Sequence, residues 1–272
     1  MRIAFIKMHG LGNDFVVLDG RGEALPAFDS TAAAAIADRK TGIGCDQLIV
    51  LEPSQAADFR MRIFNADGGE VEACGNAARA VGLLHGEPAR LETLGGLIAT
   101  SPTDAGVSVD MGAPRFEWDA IPLAYAMDTL AMPVAWDELE SPVAVNVGNP
   151  HAVFFVPDCH AVDLASLGPL IEHDALFPER VNVNVATVLA RDAISLRVWE
   201  RGVGETRACG TGACATAVAA IRRGLVDRRV TVTLTGGPLL IEWGDDDRIV
   251  MTGPATESFR GEFEAADYGI GA

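Results

Sequence analysis

One eleven-residue signature occurs twice in this chain, each copy built around a cysteine. Residues 70–80 read EVEACGNAARA and residues 205–215 read ETRACGTGACA. Cys74 and Cys209 lie 135 positions apart, and the same offset relates Arg62 to Arg197, Phe64 to Trp199 and Asn65 to Glu200 without a gap. Other landmarks recur in the same order: Gly12-Asn13 with Gly148-Asn149 at 136, and Gly95-Gly96 with Gly236-Gly237 at 141. The register drifts only where loops absorb insertions. Such a chain is constrained to two like-folded halves, and duplicated units tend to pack about a pseudo-twofold axis. That packing predicts two thiols facing each other across one small pocket.

The halves are expected at 1–115, completed by a strand within 257–272, and at 116–256. Residues 115–142 have no mate, carry Pro122, Pro133 and Pro142, and read as a connecting region. Much of the chain reads as strand, with β-prone runs at 59–64, 107–110, 143–147, 230–234 and 248–252. Helices are predicted at 31–39, capped by Asp29 or Ser30, and at 76–85 and 211–223, each meeting a glycine suited to ending it. The last two are small and apolar on nearly every side, unlike the one-sided stripe of a surface helix. The expected fold is therefore α/β (α+β): two pseudo-symmetric lobes, each a curved mixed or antiparallel sheet around a central buried helix.

Composition narrows the function. The formal net charge of −17 repels phosphate backbones and anionic lipid, so neither nucleic acid nor a membrane is an expected partner. No apolar run reaches a membrane span, the N-terminus turns polar too early for a signal peptide, and a cytoplasmic location is expected. Only Lys7 and Lys40 could form a Schiff base, which disfavours pyridoxal phosphate. A zinc site wants short-spaced Cys and His. Cys209 and Cys214 are five apart with no histidine nearby, so no metal is expected. Cys45, Cys159 and Cys214 read as buried apolar residues.

Cys74-Gly75-Asn76 and Cys209-Gly210-Thr211 both place a sulfur at a helix N-terminus, where unbonded N–H groups favour a thiolate. The same N–H groups can hold a carboxylate. A carboxylate held between two such ends puts its α-carbon between two sulfurs. One thiolate removes the α-proton and the other thiol returns a proton to the opposite face, inverting the centre. The developing enediolate is stabilised by the backbone donors. General acid–base help supplies about 10² to 10⁴-fold, so the electrostatic contribution must supply most of the rate, and no cofactor is needed. From spacing alone Asn13, Asn65, Asn149 and His151 read as turn residues. Asn65 and Glu200 are repeat mates that end a strand-like run, and their divergence points to unequal demands within one site.

The ordered segments KMHGLGNDF from Lys7, GIGCDQ from Gly42, RIFNADG from Arg62, CGN at Cys74, GNPH from Gly148, FPERVN from Phe177, ERGVGET from Glu200, CGTGA at Cys209 and MTGPA from Met251 strongly resemble the diaminopimelate epimerase family. The resemblance implies a cofactor-independent epimerase with two facing α/β halves, acting as a homodimer on the small molecule diaminopimelate. It makes Cys74 and Cys209 the acid–base pair, with His151 and Glu200 tuning their pKa values. It has Gly75, Asn76, Gly210 and Thr211 holding the reacting end. Asn13, Gln47, Asn65, Asn149, Asn182, Glu200 and Arg201 would grip the substrate, largely at its distal amino-acid end. The family usually carries glycine where Ala77 stands. Read without the resemblance, the residues also admit a proline or hydroxyproline racemase, a thiol redox protein cycling through a Cys74–Cys209 disulfide, or an amino-acid binding protein.

Overall fold

The computed structural model describes residues 1–271. The chain forms two compact units, one of Met1–Val109 with the segment from Gly253 onward, the other of Asp110–Thr252. In the first unit the sheet runs, neighbour to neighbour, through strands Thr256–Glu264, Arg2–Gly10, Asn13–Asp19, Gln47–Glu52, Phe59–Asn65, Ala89–Thr93, Gly96–Thr103 and Gly106–Asp110. In the second it runs through Val143–Asn146, Pro150–Phe155, Asn182–Ala190, Ala193–Glu200, Arg229–Leu234, Gly237–Trp243 and Ile249–Gly253.

The duplication is visible in the connections. Parallel neighbours need a crossover rather than a tight turn. In the first unit, Asn13–Asp19 joins Gln47–Glu52 through helix α1 (Ser30–Ala37), and Phe59–Asn65 joins Ala89–Thr93 through helix α2 (Gly75–His85). The second unit repeats both parallel joints, with helix α3 (Leu164–Glu172) and helix α4 (Gly210–Arg222) as the crossovers. Among the described residues the other strand pairs within each unit are antiparallel.

Helices α2 and α4 are the cores of their units. α4 is buried from Gly212 to Ala220 and touches six strands of its own unit, so that sheet curves around it. Its small side chains permit that approach on all sides. α2 is buried from Gly75 to Val81 and Gly82, and a Cβ on Gly82 would lie 2.8 Å from Val107 and 3.1 Å from Thr100. Gly82→Ala would therefore overpack a closed wall. α1 is capped by the Asp29 side chain accepting the Ala32 N–H at 2.8 Å. α2 ends at Gly86, whose φ of 81° is left-handed as the terminating glycine requires. α4 ends at Arg222, one residue short of the expected 223, with Arg223 as its C-cap and the left-handed Gly224 following.

Two features depart from the sequence expectation. α3 was not foreseen, because Gly168-Pro169 within it reads as a break; the proline is tolerated inside the helix, while Gly168 gives room to the Trp199 ring, which a Cβ would meet at 2.5 Å. Residues 115–142 are more than a connection. Ile121, Leu123, Met132 and Leu139 are buried with Phe154, Leu164, Ile171 and Phe177 in one hydrophobic cluster, and the region carries a short hairpin of Ala135–Trp136 and Leu139–Glu140. Among the described residues no helix is long and apolar enough to cross a membrane.

Candidate active site

Each unit gathers the sequence-identified residues on one rim of its sheet. In the first, Asn13 and Gln47 begin parallel strands and Asn65 ends the antiparallel neighbour, directly opposite Gln47. All three chain ends lie on the same rim, where Asn13 Oδ1 accepts from Asn76 Nδ2 at 3.1 Å and sits 4.0 Å from Cys74 Sγ. Cys74 is the N-cap residue of α2, with the extended backbone that position takes, and Gly75 and Asn76 are buried in the first turn. Gln47 Nε2 donates to Asn65 Oδ1 at 2.9 Å, whereas Gln47 Oε1 is buried without a hydrogen-bond partner. A buried acceptor left so is costly, and it suits an incoming ammonium group.

Behind this rim lies a charged network that the sequence reading did not single out. Asn13 Nδ2 donates to Asp46 at 2.9 Å, which accepts from Arg39 at 2.7 Å. Arg39 also binds Asp14, and Asp14 and the Gly44 carbonyl accept from Lys7. Burial opposes the Asp14 charge, but hydrogen bonds from Arg39 and Lys7 outweigh it and hold the carboxyl at about 2. Because the Asn13 amide nitrogen is committed to Asp46, its oxygen must face Cys74 and Asn76. The clue available in the sequence was Asp46, next to Gln47 in GIGCDQ.

The second unit repeats the plan with different chemistry. Asn182 begins one strand beside His151, and Glu200 ends the next. Asn182 Nδ2 donates to the Pro150 carbonyl at 2.8 Å, and Asn182 Oδ1 accepts the Arg201 N–H at 2.9 Å. The Arg201 side chain is exposed and donates from Nη1 to the Glu179 carbonyl at 2.9 Å. Thr206 donates its hydroxyl to the Glu200 carboxylate.

Cys209 is the N-cap of α4, and its sulfur accepts the Gly212 N–H at 3.3 Å, with Thr211 Oγ1 at 3.5 Å. A helix N-terminus favours a thiolate, yet here the balance goes the other way. Burial, joined by the negative charge of Glu200, raises the Cys209 thiol well above its ordinary value, against the lowering by Thr211 and the Gly212 N–H. Cys209 therefore rests as a thiol.

His151 is fully buried rather than a turn residue at the surface. Burial is the main cause that lowers its pKa to about 4, so the ring is neutral. Asn184 Nδ2 is committed to the Gly212 carbonyl at 2.8 Å and Thr216 at 2.9 Å, so Asn184 Oδ1 accepts from His151 Nδ1, at 3.1 Å. His151 Nε2 is then an acceptor, which turns the Asn149 amide so that its nitrogen donates across the 2.9 Å contact. His151 thus acts on the first turn of α4 through Asn184. Asn182 and Asn184 alternate on one face of a buried strand, a polar pair in an apolar run that could have revealed Asn184.

The arginines of the repeat are matched too. Arg62 grips Glu70 through two bonds of 2.9 Å, and Arg197 grips Glu205 at 2.8 and 3.1 Å. Each bidentate pair ties the strand before the cysteine to the segment that delivers it. Cys45, Cys159 and Cys214 are all buried, and burial raises Cys45 to about 11. Among the described residues no cluster of three or more His, Cys, Asp and Glu is placed to hold a metal.

The comparisons with known proteins agree with one another. A family model described as diaminopimelate epimerase matches residues 5–117 and 143–257, passing over most of the unmated segment. The diaminopimelate epimerase of Erythrobacter litoralis is 69% identical over 268 residues, covering 98% of this chain and 100% of that protein. That of Zymomonas mobilis is 54% identical over 269 residues, covering 98% and 100%. Among solved structures, a PhzF-family phenazine biosynthesis protein of Bacillus anthracis aligns with a TM-score of 0.69 at 15% identity, over 97% of this chain and 99% of that one. A hydroxyproline epimerase of Agrobacterium vitis aligns at 0.66 and 14% identity, over 96% and 91%. At those identities the structures share the fold alone. With the family model and the relatives matching across both units, this chain belongs to the diaminopimelate epimerase family of isomerases.

Proposed function

We propose that the chain interconverts LL- and meso-diaminopimelate without a cofactor, with Cys74 and Cys209 as the acid and base. The observation that carries this reading is the paired rim: the same asparagine and strand-end positions accompany a cysteine that caps a buried helix, once in each unit. The thiolate of one cysteine takes the α-proton, and the electron pair passes into the α-carboxylate as an enediolate. The thiol of the other cysteine gives its proton to the opposite face. The centre is inverted, the two cysteines have exchanged protonation states, and the reverse reaction swaps their roles. First-turn N–H groups of α2 and α4, which have no intrahelical partners, are suited to the carboxylate charge as it grows.

Resting protonation then gives the two directions different starting points. Cys209 holds its proton, so it begins as the acid and Cys74 as the base. The opposite direction needs Cys209 to lose that proton next to Glu200.

The remaining rim groups fit the distal amino-acid end. Gln47 Oε1 and the Glu200 carboxylate are acceptors for an ammonium group, and Arg201 has the fork that matches a carboxylate. Proline and hydroxyproline lack a second amino-acid end, so this equipment favours diaminopimelate over a racemase substrate. The acting form in this reading is a homodimer, as the family resemblance implies. Turnover of LL-diaminopimelate, set against L-proline and trans-4-hydroxy-L-proline in one substrate panel, tests the assignment. Epimerisation of diaminopimelate alone is expected, and turnover of the cyclic amino acids without it would contradict the reading.

A further inference from the structure

Glu172, the last residue of α3, is a carboxylate whose side chain is only 3% exposed, and the reaction described above gives it no role. Both of its oxygens accept a hydrogen bond from one short stretch of chain. Oε2 accepts from Trp199 Nε1 at 2.8 Å and Oε1 accepts the Gly202 N–H at 2.8 Å. The residues bracketed by those bonds are Glu200 and Arg201. The turn they open is otherwise permissive: Gly202 and Gly204 are both left-handed, with φ of 76° and 107°, and residues 201–203 are exposed. Inside the turn, Val203 N–H donates to the Glu200 carbonyl at 3.0 Å. The Trp199 ring is also fixed from behind, because it lies over Gly168 of the same helix so closely that a Cβ would meet it at 2.5 Å.

Among the described residues the first unit has no buried acid at the corresponding place. The repeat mate of Glu172 is Ala37; the turn after Asn65 shares the carbonyl closure, Gly68 N–H to Asn65 matching Val203 N–H to Glu200, and in place of a distant acid it has Gly69 N–H donating to its own Asp67 at 2.9 Å. The buried acid accompanies only the turn that carries a charged pair. A buried carboxylate is expensive to desolvate, and its nearest basic side chains, Arg180 at 3.8 Å and His173 at 4.0 Å, are both half-exposed and offset that only in part. Its retention calls for a task that an uncharged packing residue would not perform.

We propose that Glu172 is a positioning residue that fixes the turn presenting Glu200 and Arg201 to the distal amino-acid end of the substrate, an inference that rests on the function proposed above. Glu172→Gln is the informative change. It keeps the shape but replaces one acceptor oxygen by an NH₂ group, which must then point at a donor, either Trp199 Nε1 or the Gly202 N–H.

The experiment has two arms on the full-length chain. Hydrogen exchange is measured on the peptide containing residues 199–203, and kcat and KM for LL-diaminopimelate are measured for the unsubstituted protein, Glu172→Gln, Arg201→Ala and the double variant. Expected are amide exchange in that peptide faster by about tenfold and a KM raised by about tenfold with kcat changed less than about threefold. In the Arg201→Ala background the same substitution should raise KM less than about twofold, because the two act through one contact. Unchanged exchange at 199–203 overturns the positioning role whatever the substrate is. An equal rise in KM in both backgrounds, or a fall in kcat alone, overturns the connection to Arg201. Absence of any turnover by the unsubstituted protein contradicts the proposed function, and the exchange arm still decides the role of Glu172. If Glu172→Gln does not fold, Trp199→Phe removes the indole donor alone and is held to the same directions.

Discussion

The two cysteines occupy the same place in two copies of one plan, and they differ in burial and in capping. Cys209 is 3% exposed, caps its helix through the Gly212 N–H and lies under the charge of Glu200. Cys74 is half-buried, its sulfur makes no cap bond to its helix, and Asn13 Oδ1 lies 4.0 Å from it. One residue accounts for part of this. A Cβ on Gly212 would come within 3.2 Å of Cys209 Sγ and 3.0 Å of Val198, so glycine lets the sulfur reach the N–H. The mate of Gly212 is Ala77. Ala77 carries the methyl group that Gly212 lacks, and at that position the N-cap sulfur makes no cap bond to its helix. The duplicated backbone supplies two equivalent positions, and the surroundings of one of them hold its thiol well above the ordinary pKa.

The largest expected effect comes from removing either thiol. Cys74→Ala and Cys209→Ala should each lower epimerisation by at least about a thousandfold, measured as optical rotation or by chiral chromatography of diaminopimelate. Retained turnover in one variant would reduce the pair to a single base.

The comparison also shows how much was legible in the sequence. The repeat disclosed the buried helices α2 and α4, the cysteines at their N-termini and the Asn65–Glu200 divergence, because small-residue helices flanked by glycine leave a strong local signal. α3 escaped because Gly168-Pro169 mimics a break, although the 135-residue offset applied to α1 points to 165–172, where the helix lies. A strand such as Gln47–Glu52, buried at its four central positions, gives no alternation to read. The rise in the Cys209 pKa was hidden for another reason. Helix-end electrostatics are local in sequence, whereas the burial that overrides them is a property of the folded unit.

Gly212→Ala sharpens the comparison next. The added methyl should push Cys209 Sγ off the Gly212 N–H and press on Val198, lowering kcat by about tenfold and stability by about 1–3 kcal/mol. Ala77→Gly, which relieves the mate position, should leave the fold in place at a loss of about 1 kcal/mol or less from helix propensity. Steady-state kinetics with denaturant melts read both, and equal effects at the two positions would contradict the asymmetry.

Stability should carry a signature of His151 alone. Its pKa in the folded protein is about 4, below the ordinary 6.5, so the unfolded chain binds more protons between those values. Stability contributed by the neutral ring is complete above pH 6.5 and is lost as pH falls toward 4. From pH 7 to 5 the loss should be about 2 kcal/mol. A smaller effect is expected from Asp14, held at about 2, whose contribution is present above about pH 4 and lost between pH 4 and 2. Urea melts across that range should show the first slope flattened in His151→Gln and the second unchanged; an unaltered first slope would mean that another group titrates there.

The central claim is that two thiols exchange one hydrogen for another at a single carbon. Epimerisation of LL-diaminopimelate in deuterated water, stopped within the first few per cent of conversion and read by mass spectrometry and proton NMR, addresses it directly. The account predicts one deuterium at the inverted carbon of the meso product and none in the recovered substrate. A meso product that still carries its original hydrogen at that carbon would contradict it.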